Sequence, residues 1–357
     1  MKKSAVIAMS GGVDSSVAAF IIKNAGYDCI GATMKLFEND NTDSDSSKIC
    51  GSSQDIEDAK NIASRLGMDH LIFDFSDCFQ EEVIDRFIKA YETGITPNPC
   101  ITCNRYLKFE KLFLKAKELG YEYIVTGHYA GIEFNEKTGR YNLKKSIDNT
   151  KDQSYFLYSL TQEQLAHTLF PLGQMTKAEA REIAEKQGFI NARKHDSQDI
   201  CFVPDGNYAA FIEKNTGKSY AEGNFIDSKG NIMGKHKGII RYTIGQRKGL
   251  GISYSEPLFV SDINVSDNTV TLCTGSELFS DTVYANDINL ISVSQITEPM
   301  RVKARIRYRQ TEQPAIAIQT GEDTLKIIFD APQRAVTKGQ AVVLYDGDTV
   351  IGGGTII

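Results

Sequence analysis

"SAVIAMSGGVDSS", residues 4–16, joins an apolar run to a glycine turn and a helical pattern. The run predicts a buried strand that ends at Met9, and a helix is expected from about Val13. The turn between them places free backbone N–H groups and the positive end of the helix dipole beside Gly11 and Gly12, where the backbone can approach a ligand closely. An anion, and a phosphate above all, is expected there.

The polar side chains of this loop separate it from the common phosphate-binding loops. Ser10, Ser15 and Ser16 add hydroxyl donors, but no lysine precedes the serines as in the mononucleotide P-loop, and the glycine spacing is not that of the dinucleotide fingerprint. Asp14 would be an odd residue for holding a phosphate alone, so its expected use is to hold Mg²⁺ that bridges phosphate oxygens. The alternative is an ordinary glycine turn capped by a serine.

Apolar runs alternate with helical patterns from the start of the chain to about residue 130, which is typical of an open parallel sheet with helices on both faces. Besides the first run, the predicted strands are "CIGATM" (29–34), "HLIFDF" (70–75) and "YIVTGH" (123–128). Helical patterns between them end at Gly26 and Gly67, a residue type that commonly terminates helices. The acidic stretch "ENDNTDSDSSK" (38–48) predicts a flexible loop on the ligand-binding edge. The fold class is α/β, with an N-terminal nucleotide-binding domain.

The character of the sequence changes after about residue 205. Short segments rich in Gly, Lys and Tyr come first, and β-like runs at fairly even spacing follow from about residue 257. These runs are "PLFVSDIN", "NTVTLC", "RVKARIRYR", "PAIAIQT", "TLKIIFD", "AVVLYDG" and "TVIGGGTII". They predict a small closed β domain with the last run as closing strand. We expect three domains: α/β over 1–205, a small central domain over 206–272, and a C-terminal β-barrel over 273–357.

The composition excludes several classes of protein. With 357 residues, 41% of them hydrophobic, the chain can bury packed cores, and a net charge of -6 means that any nucleic-acid contact must come from local basic patches. The N-terminal apolar run is too short and too broken for a signal peptide or a membrane span. Seven cysteines, an odd number, suit a reducing compartment. We expect a cytoplasmic protein with no membrane partner.

"TPNPCITCN" (96–104) places Cys100 and Cys103 three positions apart after a proline turn. This spacing is compatible with zinc binding, together with Cys201 and a fourth ligand, and also with an ordinary pair of thiols. The cysteines expected only to pack are Cys29, Cys78 and Cys273, and Cys50 is left undecided.

Two stretches carry local positive charge. In "RVKARIRYR" every odd position from Arg301 to Arg309 is basic, so a continuous strand would present one wholly cationic face. Five like charges repel each other without a partner, which favours contact with RNA phosphates, and Tyr308 could stack on a base. "GKHKGIIRYTIGQRKG" (234–249) adds a second basic stretch. The alternative for both is a solvated surface.

Six motifs together carry a family resemblance. "SGGVDSS" (10–16) resembles the pyrophosphate loop of the ATP pyrophosphatase (PP-loop) superfamily, whose members cleave ATP between the α and β phosphates. Five further motifs, in the order of the family and over nearly the whole chain, resemble the tRNA-specific 2-thiouridylases, or tRNA-uridine 2-sulfurtransferases. They are "TPNPCITCNRYLKF" (96–109), "TKDQSYFLYSL" (150–160), "DSQDICFV" (196–203), "YTIGQRKGLG" (242–251) and "IRYRQ" (306–310).

This resemblance implies a transferase that converts the wobble uridine of tRNA to 2-thiouridine. ATP with Mg²⁺ would adenylate the uracil C2 oxygen, and a cysteine persulfide would then supply sulfur. The implied domains are an ATP-binding catalytic domain, a central tRNA-binding domain and a β-barrel. The implied partners are tRNA and a persulfide donor such as a cysteine desulfurase or a sulfur carrier, and the protein is expected to be a monomer.

By resemblance, Cys201 carries the persulfide, and Cys103 attacks or releases its sulfur, closing a Cys103–Cys201 disulfide. The implied ATP-site residues are Ala8, Met9, Ser10, Gly11, Gly12, Val13, Asp14, Ser15, Met34 and Gly127. The implied tRNA contacts are Lys151, Asp152, Gln153, Arg307, Tyr308 and Gln340. The residues implied to lie near the target base are Asn98, Pro99, Cys100 and His128.

Cys100 departs from the family, because many members carry Asp at this position. Thiolates from Cys100, Cys103 and Cys201 could instead hold a 4Fe–4S cluster with one iron open for an extra sulfide, which is an alternative to the persulfide relay. Two further functions stay open. One is a PP-loop AMP-forming ligase that acts on a small metabolite, and the other is a noncatalytic tRNA-binding protein.

Overall fold

The computed structural model describes residues 2–37, 52–194 and 200–357. Its strands are β1 (Ser4–Ala8), β2 (Asp28–Lys35), β3 (His70–Asp74), β4 (Tyr123–Val125), β5 (Ala130–Asn135), β6 (Arg140–Lys145), β7 (Thr168–Leu169), β8 (Gly223–Ile226), β9 (Ile232–His236), β10 (Leu258–Asn264), β11 (Thr269–Thr274), β12 (Phe279–Leu290), β13 (Met300–Arg305), β14 (Gln313–Gly321), β15 (Thr324–Arg334), β16 (Ala341–Asp346) and β17 (Thr349–Ile356). Its α-helices are α1 (Val13–Asn24), α2 (Ser53–Arg65), α3 (Ser76–Phe79), α4 (Arg86–Glu92), α5 (Pro99–Cys103), α6 (Leu112–Glu118), α7 (Gln162–Ala166), α8 (Lys177–Lys186) and α9 (Tyr208–Thr216). The stretch 38–48, predicted as a loop, lies outside the described residues.

Two π-helical segments continue the α-helices of the N-terminal domain. The segment Gln80–Asp85 joins α3 to α4, and Asn104–Lys111 joins α5 to α6. No helix in the described ranges combines the length and the hydropathy that crossing a membrane requires.

The N-terminal domain confirms the predicted parallel sheet. Its strands lie in the order β3-β2-β1-β4-β7, and every neighbouring pair is parallel. The strand order reverses between β1 and β4, so the carboxyl ends of these strands border the crevice where ligands bind in open α/β sheets. The glycine loop follows β1 at this crevice, and Gly127 comes shortly after β4.

Helix α1 supports the glycine loop. Val13, Val17 and Ile22 are buried in one hydrophobic cluster with Ile7 of β1, and burying each such side chain contributes roughly 1.5–3 kcal/mol. The chain leaves α1 at Gly26 as predicted, with a φ of +88° that glycine adopts without strain. The loop therefore lies between two rigid elements.

The central domain is built on a four-stranded sheet in the order β10-β11-β8-β9. The runs "PLFVSDIN" and "NTVTLC" form β10 and β11 of this sheet, so they do not belong to the barrel series in which the sequence pattern grouped them. Even spacing of turns in a sequence does not show where one small β domain ends and the next begins, which explains the error. β11 continues to Thr274, two residues past the predicted boundary at 272.

The C-terminal barrel confirms the predicted closed β domain. Six strands lie in the order β12-β15-β14-β13-β16-β17, and pairing of β12 with β17 closes them. "TVIGGGTII" forms the closing strand β17. The run "RVKARIRYR" is a strand only as far as Arg305, because the Gln310 side chain accepts the Ile306 N–H (3.1 Å) and the chain turns there.

A hairpin of the N-terminal domain, formed by β5 and β6, extends the barrel sheet. β6 pairs with β17 at Leu143 and Lys144, and Lys144 Nζ donates to the Thr349 hydroxyl (2.9 Å). This hairpin was not among the predicted elements. It connects the N-terminal domain to the barrel and carries the loop after β6 to the side of β13.

Candidate active site

Serine hydroxyls shape the loop after β1. The Ser15 hydroxyl donates to the Gly12 carbonyl (3.1 Å) and accepts the Ser10 N–H (3.2 Å). The Ser16 hydroxyl also donates to the Gly12 carbonyl (2.9 Å). Gly12 is the N-cap of α1 and has no side chain with which to cap its first turn. Backbone N–H groups at the start of α1 can therefore serve an anion, while the hydroxyls hold the turn in shape.

Two glycines let separate segments meet at this loop. A Cβ on Gly11, whose φ is +70°, would lie 2.4 Å from the Asp55 carbonyl oxygen. A Cβ on Gly127 would lie 2.7 Å from backbone atoms of Asp14 and Ser15. Any other residue would have to displace backbone at either position. The fold thus places Gly127 against the glycine loop, where ATP is predicted to bind.

The Asp14 carboxylate is held by two residues that sequence reasoning missed. Lys177 Nζ, on the first turn of α8, donates to both Asp14 oxygens (2.7 and 2.8 Å), and the Tyr129 hydroxyl donates to Oδ1 (2.9 Å). The Asp14 side chain is 34% exposed and that of Lys177 is 11% exposed. A signal that could have found Lys177 is its position behind the capping residue Thr176, at the start of a helix that follows a strand of the same sheet.

Magnesium fits this carboxylate only in part. One carboxylate suffices for Mg²⁺ that takes its other ligands from phosphates and water. Lys177 already neutralises Asp14, however, so a magnesium ion would share the two oxygens with an ammonium group. The prediction that Asp14 holds Mg²⁺ therefore needs Lys177 to move or to take a phosphate as a second partner.

A second lysine and an asparagine clamp the loop from the segment after α8. The Asn191 amide donates to the Gly11 carbonyl (2.9 Å). Lys194 Nζ donates to Asp55 (2.6 Å) and Asp58 (3.0 Å) on α2. Burial lowers the pKa of Lys194, but the hydrogen bonds to the two carboxylates outweigh burial and raise this pKa above its ordinary value. Sequence reasoning missed these clamps, because their partners lie on other elements.

The strand ends beside the loop contain the other predicted ATP contacts. Ala8 and Met9 lie at the end of β1, and Met34 lies near the end of β2. The Thr33 hydroxyl donates to the Met9 carbonyl (2.7 Å), which joins the two strand ends. Met34 is half-buried and packs against the same core as Ala8. Its predicted contact with adenine stays a prediction.

Cys100 and Cys103 lie on the short helix α5. Pro99 occupies its first turn, where a missing N–H leaves no hydrogen bond unmade. Cys100 is exposed, whereas Cys103 is half-buried against the hydrophobic core that also contacts Cys201. That core includes Phe202, whose ring centroid lies 5.1 Å from that of a phenylalanine of α4. That core extends through all three domains, so this shared packing does not place the two predicted catalytic cysteines side by side, and their pairing stays a prediction.

The described residues do not gather a metal site. Cys100, Cys103 and Cys201 all belong to them, yet within the described ranges no three His, Cys, Asp or Glu side chains are placed to hold a metal ion. The structure therefore gives no support to the 4Fe–4S cluster or to the zinc site that the sequence left open, and both stay predictions.

The remaining cysteines behave as packing residues where they are described. Cys29 and Cys273 are buried and Cys78 is half-buried. Burial raises the pKa of each of these thiols. Cys50 lies outside the described residues.

Three of the residues predicted to contact tRNA line a cleft between the loop after β6 and the barrel. Lys151, Asp152 and Tyr308 line this cleft of about 710 Å³, together with the cationic residues Lys303 and Arg309. We call it the basic cleft. The fold brings these sequence-distant residues together, and their contact with tRNA stays a prediction.

The predicted cationic face of β13 is wrong in its length and in its lack of partners. The strand ends at Arg305, whose guanidinium pairs with Glu312 (2.6 Å). Arg307 lies in the following turn and donates to the Ala335 carbonyl (2.7 Å). Arg301, the first basic residue of the run, forms an ion pair with Asp330. Partners within the barrel domain, one of them on its exposed surface, therefore relieve the repulsion between these charges, and only part of the run remains for RNA.

Two further predicted tRNA contacts are engaged within the protein. The Asp152 side chain is 3% exposed and accepts the N–H groups of Ser146 and Ser154 (3.2 Å each). Burial raises the pKa of Asp152. The Gln153 side-chain carbonyl accepts the Tyr129 N–H (2.9 Å). These side chains shape the loop beside the basic cleft, and direct contact with tRNA stays a prediction for both.

His128 is a buried and neutral side chain. Its ring lies 5.8 Å from each of the rings of Phe109 and Phe170, and Nδ1 lies 2.7 Å from the Thr126 hydroxyl. Burial lowers the pKa of His128 well below its ordinary value. Its predicted position near the target base stays a prediction, and its ring would bring no positive charge there at neutral pH.

Gln340 reaches the segment that leads into the cysteine helix. Its Nε2 donates to the carbonyls of Thr96 (2.9 Å) and Pro97 (3.1 Å). Asn98, the N-cap of α5, is half-buried directly after them. The predicted tRNA contacts of Gln340 and Asn98 stay predictions.

Comparison with known proteins agrees with this three-part architecture. Residues 3–205 match the family described as tRNA methyl transferase HUP domain, 209–274 the tRNA methyl transferase PRC-barrel domain, and 280–356 the aminomethyltransferase beta-barrel domain. The tRNA-specific 2-thiouridylase MnmA of Clostridioides difficile is 52% identical over 356 residues, covering 100% of this chain and 98% of that protein. The protein of the same name from Acetivibrio thermocellus is 49% identical over 358 residues, covering 99% of each. The chain therefore belongs to the tRNA-specific 2-thiouridylase family.

Proposed function

We propose that the protein uses ATP to replace the C2 oxygen of the wobble uridine of tRNA with sulfur. The observation that carries this proposal is the presence, in one domain, of a glycine loop suited to a triphosphate and two half-buried cysteines from separate segments. A ligase for a small metabolite would use the loop but gives no reason for the cysteines. The names of relatives that match the full chain support the same choice.

The first half of the proposed reaction activates the uracil C2 oxygen, which is a poor leaving group. This oxygen attacks the α phosphate of ATP, and pyrophosphate leaves. Backbone N–H groups at the start of α1 stabilise the negative charge that develops on the phosphate. Lys177 adds a cation beside them through its contact with Asp14. Mg²⁺ bound with ATP would be held by Asp14 and would add further charge stabilisation.

The second half transfers sulfur. The terminal sulfur of a persulfide on Cys201 attacks C2, and AMP leaves with the activated oxygen. The Cys103 thiolate then attacks the Cys201 sulfur, the bond between that sulfur and the transferred one breaks, and 2-thiouridine is released. A Cys103–Cys201 disulfide remains, and a two-electron reductant returns both residues to thiols.

The basic cleft is the proposed tRNA contact. The whole chain is acidic, so a polyanion needs a local cationic surface, and Lys151, Lys303 and Arg309 supply one. Tyr308 contributes a ring on which a base can stack.

We propose the persulfide relay ahead of a cluster, and the absence of a group of three metal donors among the described residues supports this order. A relay also requires a partner that delivers sulfur to Cys201, and a cysteine desulfurase or a sulfur carrier supplies sulfur in that form. We further propose that the protein acts in the cytoplasm and as a monomer.

The test is AMP release measured with and without unmodified tRNA, together with 2-thiouridine quantified by mass spectrometry of the digested tRNA. A persulfide donor and a reductant are supplied. We expect AMP release that depends on tRNA and matches the thiouridine formed. AMP release that ignores tRNA would point to the metabolite ligase, and tRNA binding without AMP release would point to a noncatalytic binder.

A further inference from the structure

One turn of the barrel, Lys338–Gln340, lies directly against the segment that precedes the cysteine helix. The Thr96 N–H donates to the Lys338 carbonyl (3.0 Å). The Gln340 amide donates in return to the Thr96 and Pro97 carbonyls. The turn itself is anchored on β17, since the Gln340 carbonyl accepts the Ile356 N–H (2.8 Å) and the Gly339 N–H donates to the Ile356 carbonyl (2.8 Å). The two segments are therefore joined by three hydrogen bonds.

Gly339 shows how closely these backbones approach. A Cβ on Gly339, whose φ is +86°, would lie 2.2 Å from Ile95 Cγ2 and 2.9 Å from the Thr96 carbonyl oxygen. Only a glycine fits between the turn and the segment. This fit, together with the hydrogen bonds, defines the position at which the chain enters α5.

A second barrel contact lies just after the helix. Arg105 forms an ion pair with Asp287 on β12. The N–H of Asp287 donates to Asp323 (3.1 Å), and its φ of +48° is a conformation that non-glycine residues seldom adopt. The helix that carries Cys100 and Cys103 is thus held on the barrel at both of its ends.

The Gln340 amide already forms hydrogen bonds within the protein, and these bonds indicate what the residue does. A residue that reads tRNA offers its donors to the ligand, whereas this amide donates to two carbonyls of the chain immediately before Asn98. We propose that Gln340 is a positioning residue that fixes the start of α5 and so sets the position of Cys103. The idea rests on the proposed sulfur transfer, in which a small displacement of the attacking sulfur lowers the rate strongly.

The test compares substitutions that keep the size of the side chain. Gln340→Met removes the donor, and Gln340→Glu places a carboxylate against two carbonyl oxygens. Gln319→Glu is the matched control, because the Gln319 amide also donates to a barrel carbonyl, that of Glu322 (3.3 Å), but lies on β14, which pairs with β13 and β15. Thermal melting of each variant verifies that it folds, and Gln340→Met carries the test if Gln340→Glu does not fold.

The first readout is the rate at which iodoacetamide alkylates Cys103 in the full chain, without tRNA or ATP, followed by mass spectrometry with Cys78 as internal reference. We expect the rate at Cys103 to rise by about threefold or more, and more in Gln340→Glu than in Gln340→Met, because a half-buried thiol gains access when its helix loosens. Cys78 and the Gln319→Glu control keep the wild-type rate.

The second readout separates positioning from tRNA recognition. We expect thiolation at saturating tRNA to fall by about tenfold or more while the Kd for tRNA stays within about twofold. Unchanged alkylation of Cys103 together with weaker tRNA binding would overturn the proposal and make Gln340 a tRNA contact. If the wild-type chain fails to thiolate tRNA, the proposed function fails, and the alkylation rates still decide whether Gln340 positions Cys103.

Discussion

The glycine loop and the cysteine site lie in one domain but are built in different ways. The loop is a continuous stretch from β1 into α1, and its shape depends mainly on bonds among Ser10, Gly12, Ser15 and Ser16. The predicted cysteine site combines α5 with the distant segment of Cys201, and the chain just before α5 is hydrogen-bonded to a turn of the barrel. The backbone turn of the loop is thus encoded locally, although Lys177 and Asn191 reach it from other elements, whereas the cysteine site depends on distant segments for both of its thiols.

The largest expected effect is at the predicted cysteine site. Cys103→Ser and Cys201→Ser should each lower thiolation by about 10³-fold or more, because serine neither carries a persulfide nor attacks one. The measurement is 2-thiouridine per tRNA, with tRNA binding measured in parallel and expected to be nearly unchanged. Cys78→Ser, a half-buried packing position, is the matched control. Substantial thiolation in either variant would remove the relay, and an equal loss in Cys100→Ser would restore the cluster as the better mechanism.

The next effect is at the glycine loop. Asp14→Ala should lower tRNA-dependent AMP release by about 10²-fold, because it removes the predicted Mg²⁺ ligand and leaves Lys177 without the carboxylate that orients it. Asp28→Ala, at the opposite end of the parallel sheet, should not change the rate. Wild-type AMP release in Asp14→Ala would show that the loop works without this carboxylate. Thiolation should fall in proportion, since both halves of the reaction share one activated uridine.

Smaller effects are expected at the basic cleft. Two variants there distinguish the contribution of base stacking to tRNA binding from that of charge. Tyr308→Ala should weaken tRNA binding by about tenfold through loss of base stacking. Lys303→Ala should weaken it only about threefold and lower the slope of log Kd against log salt by about one. Lys60→Ala, an exposed cation on α2, is the control for both. A salt slope that stays unchanged in Lys303→Ala would place the tRNA elsewhere on the molecule.

The smallest effect concerns pH and the buried His128. Its pKa is lowered by burial, so the native ring stays neutral where the unfolded ring binds a proton. Stability from this group is complete above about pH 6.5 and falls as pH drops below that value, by up to about 1.4 kcal/mol per pH unit. His128→Asn should remove the contribution of this one proton to the slope of the unfolding free energy against pH. The measurement is urea unfolding between pH 5 and 7.5. An identical slope in the variant would mean that the pKa of His128 is the same in the native and the unfolded protein.

The local parts of the molecule could be predicted from sequence because their partners are near in the chain. "SAVIAMSGGV" (4–13) encodes strand, turn and helix start within ten residues; the helix begins at Val13 as predicted, and the strand ends at Ala8, one residue before the predicted end. Lys177, Asn191 and Lys194 were missed for the opposite reason. Each lies in or beside a helix with an ordinary amphipathic pattern, and only the parallel sheet brings these side chains to the loop.

The basic run of β13 shows how a pattern can mislead. Alternation of charge continues to Arg309, but the strand stops at Arg305 because Gln310 folds back on Ile306. Period-two alternation describes which side a residue would take in a strand, and it does not state that the strand continues. The partners of Arg305 and Arg307 lie in other segments, so their neutralisation could not be read from the run itself.

The hairpin of β5 and β6 has a consequence for how the protein is made. Lys144 of β6 meets Thr349 of β17 across 205 residues of sequence, which a ribosome adds in about 10–40 s. During that interval one edge of β6 has no partner strand, and exposed edges invite pairing with other chains. The N-terminal domain thus depends on late-made sequence to cover its edge, and a nascent chain stalled before the barrel is expected to be a target for chaperones.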